Sequence, residues 1–154
     1  MARKMTPDPL CIPQRTIKEF LTRSFTDMVD IVSTGGCWIQ SDIVEKNFPL
    51  VPKRETPKRL FTAQPGPYDE FDELLESITS QGLQLGTVDH MWLVAAHLPG
   101  LQLEHYVAAA GTMWHKTSKE SYIPHLRARG KERQAYIRYT GLGWDDRWVF
   151  LVYE

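Results

Sequence analysis

Apolar positions recur at helical spacing through much of the chain. Between Thr16 and Ser33, Ile17, Phe20, Leu21, Ser24 and Met28 share one face of a 3.6-residue period, and Val29, Ile31 and Val32 widen it. This predicts a first helix, ended by Gly35-Gly36, because glycine accepts the left-handed backbone found at helix C-termini. A second, shorter helix is predicted from Trp38 to Phe48 on the face of Ile39, Ile43, Val44 and Phe48, broken by Pro49 and Pro52. Thr56-Pro57 reads as a further start, with a capping threonine and a proline at the first helical position.

After the break at Gln64-Pro65-Gly66-Pro67, residues 68–81 give the clearest helical pattern, with Phe71, Leu74, Leu75 and Ile78 at i, i+3, i+4 and i+7. Thr87 is placed to cap a helix over 88–98, stopped by Pro99-Gly100. Leu103, Tyr106, Val107, Ala110 and Trp114 predict another over 101–115, in which Ala108-Ala109-Ala110-Gly111 would admit a neighbouring helix closely. Thr117-Ser118-Lys119-Glu120 matches a capping box and opens a basic helix closed by Gly130, interrupted or restarted at Pro124. Residues 134–140 and 147–153 are rich in β-formers and flank the Gly141–Asp146 turn, which predicts a hairpin. The expected fold class is therefore α+β and mainly helical, with six or seven helices followed by a C-terminal β-hairpin. Residues 1–15, with three prolines, read as an extended arm. Residues 16–64 form one helical subdomain and 68–154 a second that carries the hairpin, the two able to merge into one compact domain.

Charge changes this picture more than composition does. The 154 residues are 42% hydrophobic with a net charge of −1, which is ordinary for a globular domain. That balance hides a segregation. Residues 60–115 hold seven acids and no Lys or Arg, whereas residues 116–144 hold seven basic residues against two acids. The acidic part centres on Asp69, Glu70, Asp72, Glu73 and Glu76, which fall opposite the apolar face of their helix. The basic part comprises Lys116, Lys119, Arg127, Arg129, Lys131, Arg133 and Arg138, interleaved with Trp114, Tyr122, Tyr136, Tyr139 and Trp144. Guanidinium groups pair with phosphate and aromatic rings pack on sugars and bases, so this mixture suits a polyanion.

Other chemistries find little support. Phosphate-loop, dinucleotide, zinc-protease and nucleophile-elbow motifs are all missing. The histidines, His90, His97, His105, His115 and His125, are never four apart, and no Cys pair has metal-ligand spacing, so neither metal nor cofactor is expected. Cys37, placed before a predicted helix, is the best candidate nucleophile, although a buried small residue explains it as well. The two cysteines, the lack of an export signal and the lack of a 20-residue apolar run predict a reduced, cytoplasmic protein without a membrane span.

Residues 87–154, read as helix, helix, basic helix and two-stranded hairpin, resemble in element order a winged helix-turn-helix DNA-binding domain. The resemblance implies that Ser118–Gly130 stands for the recognition helix and Gly141–Asp146 for the wing tip. Residues 16–61 give a second, similar series with Lys53, Arg54, Lys58 and Arg59 at its third element. Two functions follow as expectations. The first is a small non-enzymatic adaptor or inhibitor that docks on a protein partner through Asp69, Glu70, Asp72, Glu73 and Trp144. An inhibitor of a nucleic-acid machine, of the kind phages and mobile elements encode, would combine the acidic and basic traits. The second is a winged-helix-like DNA- or RNA-binding regulator that uses the basic residues of 116–138.

Overall fold

Between Ser121 and Tyr139 the chain makes an uninterrupted antiparallel hairpin, and the remaining strands build outward from it. In the computed structural model, which describes residues 5–51 and 56–154, β1 (Asp8–Pro9), α1 (Gln14–Leu21), α2 (Phe25–Thr34), β2 (Cys37–Ile39) and β3 (Leu60–Ala63) come first. Then follow α3 (Phe71–Thr79), β4 (Gln84–Leu85), α4 (Val88–His97) and the short α5 (Leu101–Glu104). Last come β5 (Tyr106–Ala108), β6 (Trp114–His115), β7 (Ser121–Arg129), β8 (Glu132–Tyr139) and β9 (Trp148–Tyr153). The strands form one sheet in the order β1-β3-β9-β5-β7-β8-β2, with β4 also on β9 and β6 also on β7. Pairing is antiparallel except for β5 with β9 and β2 with β8. Strands from both predicted subdomains, 16–64 and 68–154, share this sheet.

The sheet has two apolar faces. On one, Leu60, Val107, Leu126, Ala135, Val149 and Leu151 join a core with α1, α2 and α4. Here α4 is buried nearly all round: Met91, Trp92, Leu93 and Val94 have no exposed surface. On the other face, Ala63, Ala108, Ile123, Phe150 and Val152 pack under Phe71, Leu74 and Ile78 of α3.

The expectation of a mainly helical fold is overturned: among the described residues, five helices accompany a nine-stranded sheet. Each reassignment has a physical cause. The predicted first helix is two, because Ser24 accepts a hydrogen bond from the Asp27 N–H at 3.1 Å and restarts the helix there. Gly36 ends α2 with φ of 94°. The second helix, 38–48, is replaced by β2 and a turn-rich stretch held by local bonds, such as Asn47 Nδ2 to the Asp42 carbonyl at 2.9 Å. Of the helix start at Thr56-Pro57, only residues from 56 onward are described, and they lead into β3.

Residues 101–115 contain one helical turn and then β5 and β6. β5 lies between β9 and β7, so its residues read as an apolar run without alternation, and such a run satisfies a helical template equally well. The small residues at 108–111 admit a backbone, not a helix: a Cβ on Gly111 would lie 2.5 Å from the Leu85 carbonyl oxygen. The capping-box residues close the β6–β7 turn. Thr117 Oγ1 accepts from the N–H groups of Lys119 and Glu120 at 3.2 and 3.1 Å, the bond of a helix cap used in a hairpin. The segment given the role of recognition helix is β7 with its turn. Pro124 is tolerated there where the β5 ladder ends, its carbonyl accepting from Ala109 N–H at 3.1 Å. Both C-terminal strands form, but not as a hairpin: β8 pairs with β7 and β2, and β9 with β3, β4 and β5.

Candidate functional site

α3 covers only part of the second sheet face. The strand register shows what lies on the rest. Tyr106 pairs with Trp148, and Arg127, Gln134 and Trp38 continue the same level across β7, β8 and β2. The next level holds Ala108, His125 and Tyr136, and the one beyond holds Ile123 and Arg138. Side chains on paired residues project to the same face, so these levels form parallel rows of aromatic and cationic groups. Ala108 is fully buried in the core under α3, so the open part of the middle row is His125 and Tyr136. The rows border a pocket of about 190 Å³ whose lining includes Tyr106, His125, Arg127, Tyr136, Arg138 and Trp148.

The rings are in contact across the sheet. Trp38 lies 5.9 Å from Tyr136, Tyr136 6.3 Å from His125, His125 4.8 Å from Trp148, and Tyr106 is stacked on Trp148 at 4.7 Å. Each pocket arginine rests on a ring: Arg127 on Tyr136 at 3.8 Å, Arg138 on Trp148 at 5.0 Å, and Arg147 on Tyr106 at 5.3 Å. Such stacking holds a guanidinium flat while its N–H groups stay free to bond outward. Arg147 is paired with Asp145 at 2.8 Å, which holds that carboxyl below its usual range through the hydrogen bond. Among the described residues, Arg127 and Arg138 have no carboxylate partner. Arg127 Nε donates to Gln134 Oε1 at 2.9 Å, and Arg138 Nη2 to the Gly143 carbonyl at 2.6 Å. Burial disfavours the Arg138 charge, with Asp145 opposing that effect in part.

His125 lies at the centre, 3% exposed. Its Nδ1 has no hydrogen-bond partner among the described residues. Burial, reinforced by the charges of Arg127 and Arg138, pushes its pKa down to about 3 from 6.5. The ring is thus neutral wherever the protein is folded near neutral pH. The unfolded chain takes up a proton below about pH 6.5 that the folded chain refuses until about pH 3. Stability should therefore fall as pH drops through that window, by about 2 kcal/mol between pH 8 and pH 5. Urea denaturation at those two pH values would measure this, and His125→Gln should reduce the slope.

The structure separates the predicted basic residues into groups. Arg127 and Arg138 meet in the pocket. Arg129 and Lys131 are exposed at the β7–β8 turn, where Gly130 has φ of 62°, and Lys116 and Lys119 are exposed around the β6–β7 turn. Arg133 projects to the opposite face. Its guanidinium donates to the Ala95 carbonyl at 3.1 Å and to the Gly35 carbonyl, so it neutralises the C-terminal ends of α4 and α2. Lys53 and Arg54 lie outside the described residues. Asp69, Glu70, Asp72 and Glu73 are all exposed. Trp144, 3% exposed, is packed against Phe71, Trp148 and Phe150. Acidic and basic segments form no ion pair with each other among the described residues.

Sequence reasoning missed Tyr106, Trp38, Arg147 and Trp148 as site members and gave His125 no place in a site. The available signal was the period-two series Ile123, His125, Arg127, Arg129 followed, after a two-residue Gly-Lys turn, by Gln134, Tyr136, Arg138. Cys37 sits in β2 and not at a helix N-terminus. It is 2% exposed, and burial raises its thiol pKa. Among the described residues no group of three or more His, Cys, Asp or Glu could hold a metal ion, and no helix is long and apolar enough to cross a membrane. Comparison with protein-family models, curated proteins and solved structures found no match to this chain.

Proposed function

We propose that the chain is a non-enzymatic binding protein that holds single-stranded nucleic acid on the open part of its second sheet face. One observation carries this reading: aromatic rings and arginines that have no carboxylate partner among the described residues occupy adjacent rows on the same side of β5, β7, β8 and β2. Unpaired bases can stack on such rings while guanidinium groups take the phosphates, and sequence tolerance follows because every base has a flat face. A duplex buries its base faces and gains little from this surface. The two pocket arginines without a carboxylate partner among the described residues imply about two phosphate contacts, because Arg147 is already paired with Asp145. For single strands that gives a slope of log affinity against log salt of about −1.4, or a loss of roughly 7-fold between about 50 and 200 mM salt. Anisotropy titrations of a short labelled oligonucleotide would read it. A slope near zero would remove the reading.

The exposed acids of α3 favour a second reading, a docking surface for a basic protein. A lysine-rich peptide would then bind equally well with and without saturating oligonucleotide. Failure of that peptide to bind at low salt would dismiss it.

A further inference from the structure

The open rows end differently on their two sides. Toward the β2 edge they finish in Trp38, 48% exposed and tilted on Tyr136, so a bound strand can leave over that ring. Toward β9 they meet a wall. Trp148 abuts Trp144 at 4.8 Å, and Trp144 is tied to Tyr68 by two backbone hydrogen bonds of 3.0 and 2.8 Å. The bridge leads directly into exposed Asp69 and Glu70, and then into Phe71, which is stacked on Trp144 at 5.3 Å. Asp145 and Asp146 flank the same tryptophan on its other side in sequence. The segments that carry this wall thus bear the exposed acids Asp69, Glu70 and Asp146, while Asp145 is taken up by Arg147, so the wall is poor ground for a continuing phosphodiester chain. Just before that wall, Arg127, Arg138 and Arg147 surround the pocket, and among the described residues Arg147 alone of the three has an acid partner.

We infer that the pocket seats a phosphomonoester at the end of a strand, with the rest of the strand passing outward over Trp38. This rests on the single-strand reading above. The chemistry fits an end better than an interior position. A phosphomonoester carries close to two negative charges at neutral pH and three acceptor oxygens, against one charge on an internal diester. Guanidinium groups fixed on rings around one small pocket match that extra charge and those oxygens. The neutral His125 beneath them adds no carboxylate and no competing cation.

The test compares a nucleoside monophosphate with one sequence in four forms: linear with a phosphate at one end, linear with a phosphate at the other, linear with hydroxyl ends, and circular. One phosphorylated form should bind about ten-fold or more tightly than the hydroxyl and circular forms, and Arg127→Gln should erase that advantage. The exposed double variant Asp69→Lys/Glu70→Lys should strengthen binding of the circular form and narrow the gap, with far-UV circular dichroism confirming the fold of each variant. Equal binding of circular and phosphorylated linear forms would overturn the end seat and leave the single-strand reading standing. Binding of a nucleoside monophosphate without binding of any oligonucleotide would support the seat and overturn the strand reading. Absence of binding in every arm overturns both.

Discussion

Replacing Trp92 with alanine should destabilise the protein by about 3–5 kcal/mol, the range for removing a fully buried aromatic side chain from a packed core. Trp92 has no exposed surface and meets Phe25 edge-on at 6.0 Å, so it joins α4 to α2 over the first sheet face. Domains of this size are stable by about 5–15 kcal/mol, so the variant would lose a large share of that margin. Trp92→Phe should cost much less. It keeps a ring in the space and removes an indole N–H that has no acceptor among the described residues. Urea midpoints of the three proteins would test the order. A Trp92→Ala midpoint close to that of the parent would contradict the burial of α4.

The second large effect concerns binding. Reversing two pocket charges, Arg127→Glu with Arg147→Glu, should weaken affinity for a short single-stranded oligonucleotide by about 100-fold or more. Arg127 loses a charge-assisted bond worth about 1.5–3 kcal/mol and gains a repulsive carboxylate, and Arg147→Glu both frees the Asp145 carboxylate and adds a second beside it. The fold should survive, since Arg147 is exposed and Arg127 is half-buried at the rim, neither reaching the apolar cores. Arg133→Glu is a poor comparator because that side chain holds the ends of two helices. Lys119→Glu, on an exposed turn away from the pocket, is the better one and should change affinity little. A double reversal that left affinity unaltered would show that nucleic acid, if bound, lies elsewhere.

α3 and α4 were legible because each presents a helical period between strong stops, and Thr87 before α4 was read as its cap. β7 was concealed because its apolar and polar positions alternate beneath a local signal, Thr117 to Glu120, that serves a helix cap and a tight turn alike. The pocket depends on pairing between segments some twenty residues apart, Val107 opposite Leu126 and Ala108 opposite His125, and no local pattern specifies that register. Arg133 illustrates the same limit: within a basic run it looks like its neighbours, yet the one-residue alternation of β8 sends it to the other face.

By itself the sequence determined the separation of acidic from basic residues, the places where the chain must turn, and the strand-forming character of 134–140 and 147–153. These depend on residue chemistry and on φ preferences at single positions. The tertiary structure decided which strands are neighbours and therefore which side chains share a face. That choice is made by burial on both sides of the sheet, and it placed Arg127 and Arg138 with Tyr106, His125, Tyr136 and Trp148 while sending Arg133 away.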